Sequence, residues 1–312
     1  MRKTSALVEA GLLAAIAALF TIVGNYLPIL YALSDFLWPL ALILCGRRHG
    51  LKWSILCLVV SSIIVALLLN PLEAAFKLVT VSFAGITMGE CMRRQLTPFK
   101  TIFFGSIATL LSVVSGLALS FVVMQVNPLQ EISTLLQQSV DIMKEIAVQF
   151  KLPAEFTAQV ETFPKMAMLF LPASLVIGAP FSTAIDYFLA RKVLGRLGDY
   201  YPPCPAFSTW QLPKYVLVPY GLALAILYFT KDNPEALLYK VAVNVFYFMC
   251  VSLLMEALAL IRWYVITKEK PKAWFYCGVF LALTNPLFSQ LAIILGAYDL
   301  IFNFRARLSA RG

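Results

Sequence analysis

Apolar residues run along this chain in long blocks, broken at intervals by short polar clusters rich in Gly, Pro and Asn. The blocks do not alternate as the ~10-residue strands of a membrane barrel would. They have the length of membrane helices, because a hydrocarbon layer about 30 Å thick needs roughly 20 apolar residues of helix to cross it. The pattern predicts an all-α protein, a polytopic transmembrane helical bundle of about 8 full spans plus a C-terminal helical hairpin. The expected spans cover 6–24, 29–45, 52–69, 72–91, 100–126, 165–190, 214–230 and 236–262. The turns between them carry Gly24-Asn25 and Pro28, Gly46 and Gly50, Asn70-Pro71, Thr97-Pro98, Asn127-Pro128 and Asn233-Pro234. The first block is long enough to span and runs directly into the next, so it is read as a span and not as a cleaved signal.

Two connections depart from this rhythm. Residues 128–163 place Leu129, Ile132, Leu136, Val140, Met143, Ala147 and Phe150 at the three-and-four spacing of an amphipathic helix. A second short helix is expected from Pro153, with Phe156, Val160 and Phe163 on one face. The acids Glu131, Asp141, Glu145, Glu155 and Glu161 outnumber the lysines there, so the segment is no polybasic anchor; it reads as interfacial helices on the bilayer or as a lid. The Pro-rich stretch 196–213 is the best internal boundary. It divides a six-span core (1–195, with the insertion 128–163) from a C-terminal unit (214–312).

At the C-terminus the block from Trp274 meets Asn285-Pro286 after about a dozen residues, roughly 17 Å of helix and too short to cross. A second block, Leu287 to Phe304, leads into Arg305. A hairpin turning at Thr284-Asn285-Pro286 and a single kinked helix both fit, and the distribution of basic residues favours the hairpin.

Composition agrees with the pattern: 61% of the 312 residues are hydrophobic and 13% charged. Charge then sets orientation, since Lys and Arg concentrate on the cytoplasmic side. Arg2, Lys3, Arg47, Arg48, Lys52, Arg93, Arg94, Lys100, Arg191, Lys192, Arg196, Lys214, Arg262, Lys268, Lys270, Lys272, Arg305, Arg307 and Arg311 fall at one side of the scheme. Only Lys77, Lys144, Lys151, Lys165, Lys231 and Lys240 fall at the other. Both termini are therefore expected in the cytoplasm. The net charge of +9 is read as a topology signal and not as a nucleic-acid footprint.

The six cysteines form no C-x-x-C pair and His49 is the single histidine, so no zinc site or other metal site is expected. No phosphate-binding loop, zinc-protease or serine-hydrolase motif occurs, so neither an enzymatic motif nor a cofactor is expected. Ionisable groups within spans carry more information, because burial in lipid is costly unless they face protein or water. Glu9, Glu90, Asp186, Glu256 and Asp299 fall near inner ends beside basic clusters and read as interfacial ion pairs. In the outer half, Asp35 lies between Tyr31 and Trp38, and Glu73 and Lys77 are spaced i,i+4 so that they can pair. Asn25, Tyr26 and Asn70 occupy adjoining outer turns. Together these eight residues could line a polar pocket with aromatic walls for an unidentified small molecule, or belong to an aromatic belt with a self-neutralising pair.

The first span carries Ala6, Ala10, Ala14 and Ala18 along one face. Small side chains let helix backbones approach closely in lipid, which supplies no hydrophobic drive of its own. The stripe is a packing face, for the rest of the chain or for a partner.

The alanine-striped first helix, the "NYLP" turn, the "GRRHG" end of the second span and the "GITMGECMRR" end of the fourth resemble substrate-binding S-components of energy-coupling-factor transporters, over about residues 1–195. That resemblance implies an S-component-like six-helix core, a ligand bound near the outer face, and docking of the alanine stripe on a coupling membrane subunit with its ATPases. The insertion 128–163 and the extra C-terminal helices depart from it. Nearly the whole chain is similar to the YybS-like family of uncharacterised bacterial membrane proteins, including "FSTWQLP" (Phe207–Pro213) and "LGAYDLIFNFRARL" (Leu295–Leu308), with Asp299 and Arg305 at its most recognisable positions. This implies a multi-pass protein of the bacterial cytoplasmic membrane. The function expected first is binding of a small solute from the outer face. A scaffold or assembly factor using the Asp299/Arg305 tail is the alternative, and an intramembrane enzyme acting on a lipid-linked substrate the third.

Overall fold

A computed structural model of the chain describes residues 2–309. The side chains of Tyr31 and the rest of 28–34 lie outside the described residues, as do those of Arg2, Lys3, Arg307 and Arg311. The helices are α1 (Arg2–Tyr26), α2 (Pro28–His49), α3 (Leu51–Leu68), α4 (Pro71–Arg93), α5 (Pro98–Met124), α6 (Pro128–Gln149), α7 (Ala154–Arg196), α8 (Leu217–Thr230), α9 (Leu237–Thr267), α10 (Ala273–Thr284), α11 (Pro286–Phe302) and α12 (Phe304–Ser309). No strand occurs among the described residues. Among the described residues six helices (α1, α3, α4, α5, α7 and α9) are long and apolar enough to cross a membrane, against eight full spans expected, and up to seven result if the bent pair α10–α11 is one span. The fold is thus the expected polytopic helical bundle, with α8 shorter than a full span.

Three helices begin with one local device. Asn70, Asn127 and Asn285 each accept a hydrogen bond from a backbone N–H of the first turn (Glu73, Leu129 and Leu287, at 2.6, 3.0 and 2.9 Å). Each is followed by proline at the first helical position, where a missing N–H is harmless and φ is already set. The sequence motifs that end one block therefore also start the next helix. At Asn285-Pro286 the axis turns by 113°, past a right angle, where the sequence places either a hairpin turn or a kink. Between α2 and α3 the turn passes through Gly50 at φ +95°, a conformation costly for any residue with a Cβ.

The chain divides into two compact units. The first holds residues 1–152 and 178–204; the second holds 153–177 and 205–312. The expected joint 196–213 contains the later boundary. The assignment of the first half of α7 to the second unit has no counterpart in the expected division, which ended the core at 195. A separate short helix at Pro153 is also not found: α7 is continuous for 43 residues and carries Pro164, Pro172 and Pro180 within it.

In the first unit α1 packs on α2 and α3, α2 on α4, and α4 on α5. Ala6, Ala10, Ala14 and Ala18 are all buried, and the last three join Ala17, Trp38, Ala41, Cys45 and Cys57 in one apolar cluster. This corrects the docking expectation. The stripe is already covered by the chain's own helices, and its small side chains serve the close approach of α1 to its neighbours. The α2–α4 crossing is tighter still. A Cβ added at Gly85 would stand 2.9 Å from the Leu42 Cβ, and one at Gly89 would stand 3.1 Å from the Ile43 carbonyl oxygen. Gly85 and Gly89, four residues apart, thus bring α4 against α2 and set the side chains above them face to face.

In the second unit α9 is the central element, contacting α8, α10 and α11. A Cβ on Gly296 would overlap the Leu253 carbonyl, so α9 and α11 approach there with no room for a side chain. Asn244 of α9 meets the first half of α7. Its amide donates to the Leu169 carbonyl at 2.9 Å and accepts from the Ala173 N–H at 2.9 Å, two groups that pair with each other in a regular helix. It flanks Pro172, where a backbone donor is missing, and so satisfies polar groups that lipid cannot.

Candidate functional site

The tight α2–α4 crossing leaves room beside it, and a cavity of about 380 Å³ opens there within the first unit. α2 contributes Asp35 and Pro39; α4 contributes Glu73, Phe76, Lys77, Thr80, Val81 and Ala84; α5 contributes Thr109; and α7 contributes Ser182 and Asp186. From Glu73 in the first turn of α4 to Ala84 near its middle, the lining descends by roughly 16 Å at 1.5 Å per residue. Exposure gives the cavity a mouth and a floor: the Asp35 side chain is 49% exposed, while Asp186 is 3% exposed.

Lys77 pairs with Asp35 across the helix crossing, not with Glu73 one turn away on its own helix. The ammonium is buried and the carboxylate half exposed. Pro39, four residues after Asp35, has no N–H to give the Asp35 carbonyl, so that oxygen loses its usual helical donor beside the cavity. Deeper in, Thr109 and Thr183 share a hydrogen bond at 3.0 Å that ties α5 to α7. Asp186, one turn further along α7, has an oxygen (Oδ1) without any hydrogen-bond partner among the described residues. A buried polar atom left unpaired costs on the order of 1–3 kcal/mol, more when charged, and this one belongs to a residue that lines the cavity.

The eight residues expected to line a pocket divide cleanly. Asp35, Glu73 and Lys77 line the cavity. Trp38 is fully buried in the α1–α4 apolar cluster, a core residue and not an aromatic wall. Asn70 is the cap of α4, and Asn25 and Tyr26 are exposed on the α1 end without lining the cavity. Tyr31 lies outside the described side chains. Sequence reasoning missed Asp186, which it grouped with the inner acids. Four of those five pair as expected: Glu9 with Arg48 and His49, Glu90 with Arg93 and Arg94, and Glu256 and Asp299 both with Arg305. Asp186 does not, and the nearby Arg191 instead donates to the Tyr201 carbonyl at 3.2 Å. The polar positions Ser182, Thr183 and Asp186 within a long apolar run were the available signal.

The second unit has a polar centre of a different kind. Arg305 donates to Glu256 at 2.7 Å, to Asp299 at 3.1 Å and to the carbonyls of Ser208 and Trp210 at 3.0 and 2.6 Å. Glu256 also accepts from the Leu212 N–H at 2.7 Å. The expected C-terminal motif therefore closes on its own chain, fastening the Phe207–Pro213 stretch to α9 and α11. Among the described residues its hydrogen-bond and ion-pair partners all lie within this unit.

Comparison with known proteins agrees on class. Uncharacterized protein YybS of Bacillus subtilis (strain 168) is 29% identical over 314 residues, spanning 99% of this chain and 100% of the relative. No solved structure matches the chain. The model of a family described as predicted membrane protein (DUF2232) matches residues 15–300, and the chain belongs to that family.

Proposed function

We propose that this membrane protein receives a small solute in the cavity between α2, α4, α5 and α7. The observation that carries the proposal is Asp186: a side chain 97% buried, with an unpartnered oxygen, at the floor of a cavity of ligand size. The mouth lies at the N-terminal ends of α2 and α4, opposite the Arg-rich α2–α3 and α4–α5 turns. With those arginines in the cytoplasm, the solute enters from the outer face of a bacterial cytoplasmic membrane. The reading keeps solute binding from the S-component resemblance and leaves out docking through the alanine stripe, which the chain itself covers.

The test is mass spectrometry of the gently purified full chain. A small molecule is expected to co-purify with the wild type and to be lost from Ser182→Phe, which fills the cavity, while the melting temperature holds. Equal retention by both proteins would place the molecule elsewhere and overturn the reading.

A further inference from the structure

We infer that the solute is an organic cation carrying an ammonium group that seats against Asp186. The inference rests on the solute-cavity reading and adds the chemical class. The lining holds three carboxylates (Asp35, Glu73 and Asp186) against one ammonium, Lys77. Lys77 pairs with Asp35, and among the described residues no cation pairs with Glu73 or Asp186. The acidic excess therefore stays with the cavity and not with the protein's own ion pairs. A carboxyl group withdrawn from water holds its charge only beside a compensating cation, and at the Asp186 Oδ1 no side chain among the described residues supplies one.

The rest of the lining separates an organic cation from a metal ion. About 380 Å³ equals the liquid volume of roughly a dozen waters. A bare ion would leave most of that space to solvent. No group of three Asp, Glu, His or Cys among the described residues converges as a metal-binding set. Phe76, Val81 and Ala84 instead offer apolar surface to a carbon skeleton, while Thr80, Thr109 and Ser182 offer hydroxyl groups. An N–H-bearing cation brings donors only, which is what the free oxygens of Asp186 and Glu73 can accept.

The experiment compares probes matched in shape and differing in charge, on the purified full chain in detergent. The ammonium probes are 1,4-diaminobutane, spermidine and 2-phenylethylamine; the neutral counterparts are 1,4-butanediol and 2-phenylethanol; the anions are succinate and phenylacetate. Native mass spectrometry and thermal shift read binding. Ammonium probes are expected to bind at least about tenfold more tightly than their neutral counterparts. Asp186→Asn is expected to remove about tenfold of that affinity and Glu73→Gln less, because Glu73 sits nearer water. Helical content by circular dichroism confirms that each variant folds. Neutral or anionic probes binding as well as ammonium, stabilisation by sodium chloride alone, or unchanged affinity in Asp186→Asn would each overturn the inference while leaving a solute cavity. Binding of no probe of any charge would overturn the cavity reading as well.

Discussion

Lys77 is buried and its ion-pair partner Asp35 is half exposed, so the two ends of one salt bridge sit in different solvents. The consequences of breaking it are therefore unequal. Asp35→Ala removes the ion-pair partner of a buried ammonium and is expected to cost about 1–3 kcal/mol, read as a lowered melting temperature. Lys77→Met keeps the length of the side chain and lets Asp35 rehydrate, so its cost is expected to stay below about 1 kcal/mol. A larger loss for Lys77→Met than for Asp35→Ala would contradict this placement of the pair.

The amide of Asn244 takes the place of a helical hydrogen bond between Leu169 and Ala173. Asn244→Leu removes donor and acceptor together and is expected to destabilise by about 1–3 kcal/mol. Asn244→Asp keeps an acceptor for the Ala173 N–H but cannot donate to Leu169, and it should fall between leucine and wild type. Thermal unfolding of the three proteins in one detergent checks the order.

Arg305 pairs with two carboxylates at once, Glu256 and Asp299, both essentially inaccessible to water. Arg305→Met leaves them facing each other without a cation and is expected to cost about 3–5 kcal/mol. Arg305→Lys should recover only part of this, because a point-like ammonium cannot reach four acceptors in the planar fork that guanidinium offers. Hydrogen exchange should rise first at 207–213, the segment whose carbonyls and N–H the network holds, and normal protection there in Arg305→Met would contradict the fastening role.

The parts of this molecule that were legible in the sequence are those set by local chemistry. Asn-Pro pairs mark helix starts because capping and proline's fixed φ act over three residues, and the bend at Asn285-Pro286 was readable from the shortness of the block before it. The alanine stripe announced a packing face, although only the fold shows that α2 and α3 occupy it. The site was half legible. Asp35, Glu73 and Lys77 stood out as charges inside apolar blocks, but i,i+4 spacing pointed Lys77 to Glu73, whereas the Gly85–Gly89 approach delivers Asp35 from another helix. Asp186 was hidden because the basic pair Arg191-Lys192 follows within two turns, and whether it meets them depends on helix rotation, which one sequence does not contain. Trp38 misled for the same reason: aromatic walls and aromatic cores look alike until the helices are packed.

The most direct test of a solute cavity with an outer mouth is chemical access to Thr80, midway down its lining. In a chain whose six cysteines are replaced by serine or alanine, Thr80→Cys should react in intact cells with membrane-impermeant trimethylammonium-ethyl methanethiosulfonate, and more slowly when Ser182→Phe fills the space. Reaction only after the membrane is permeabilised, or no reaction from either side, would contradict the account.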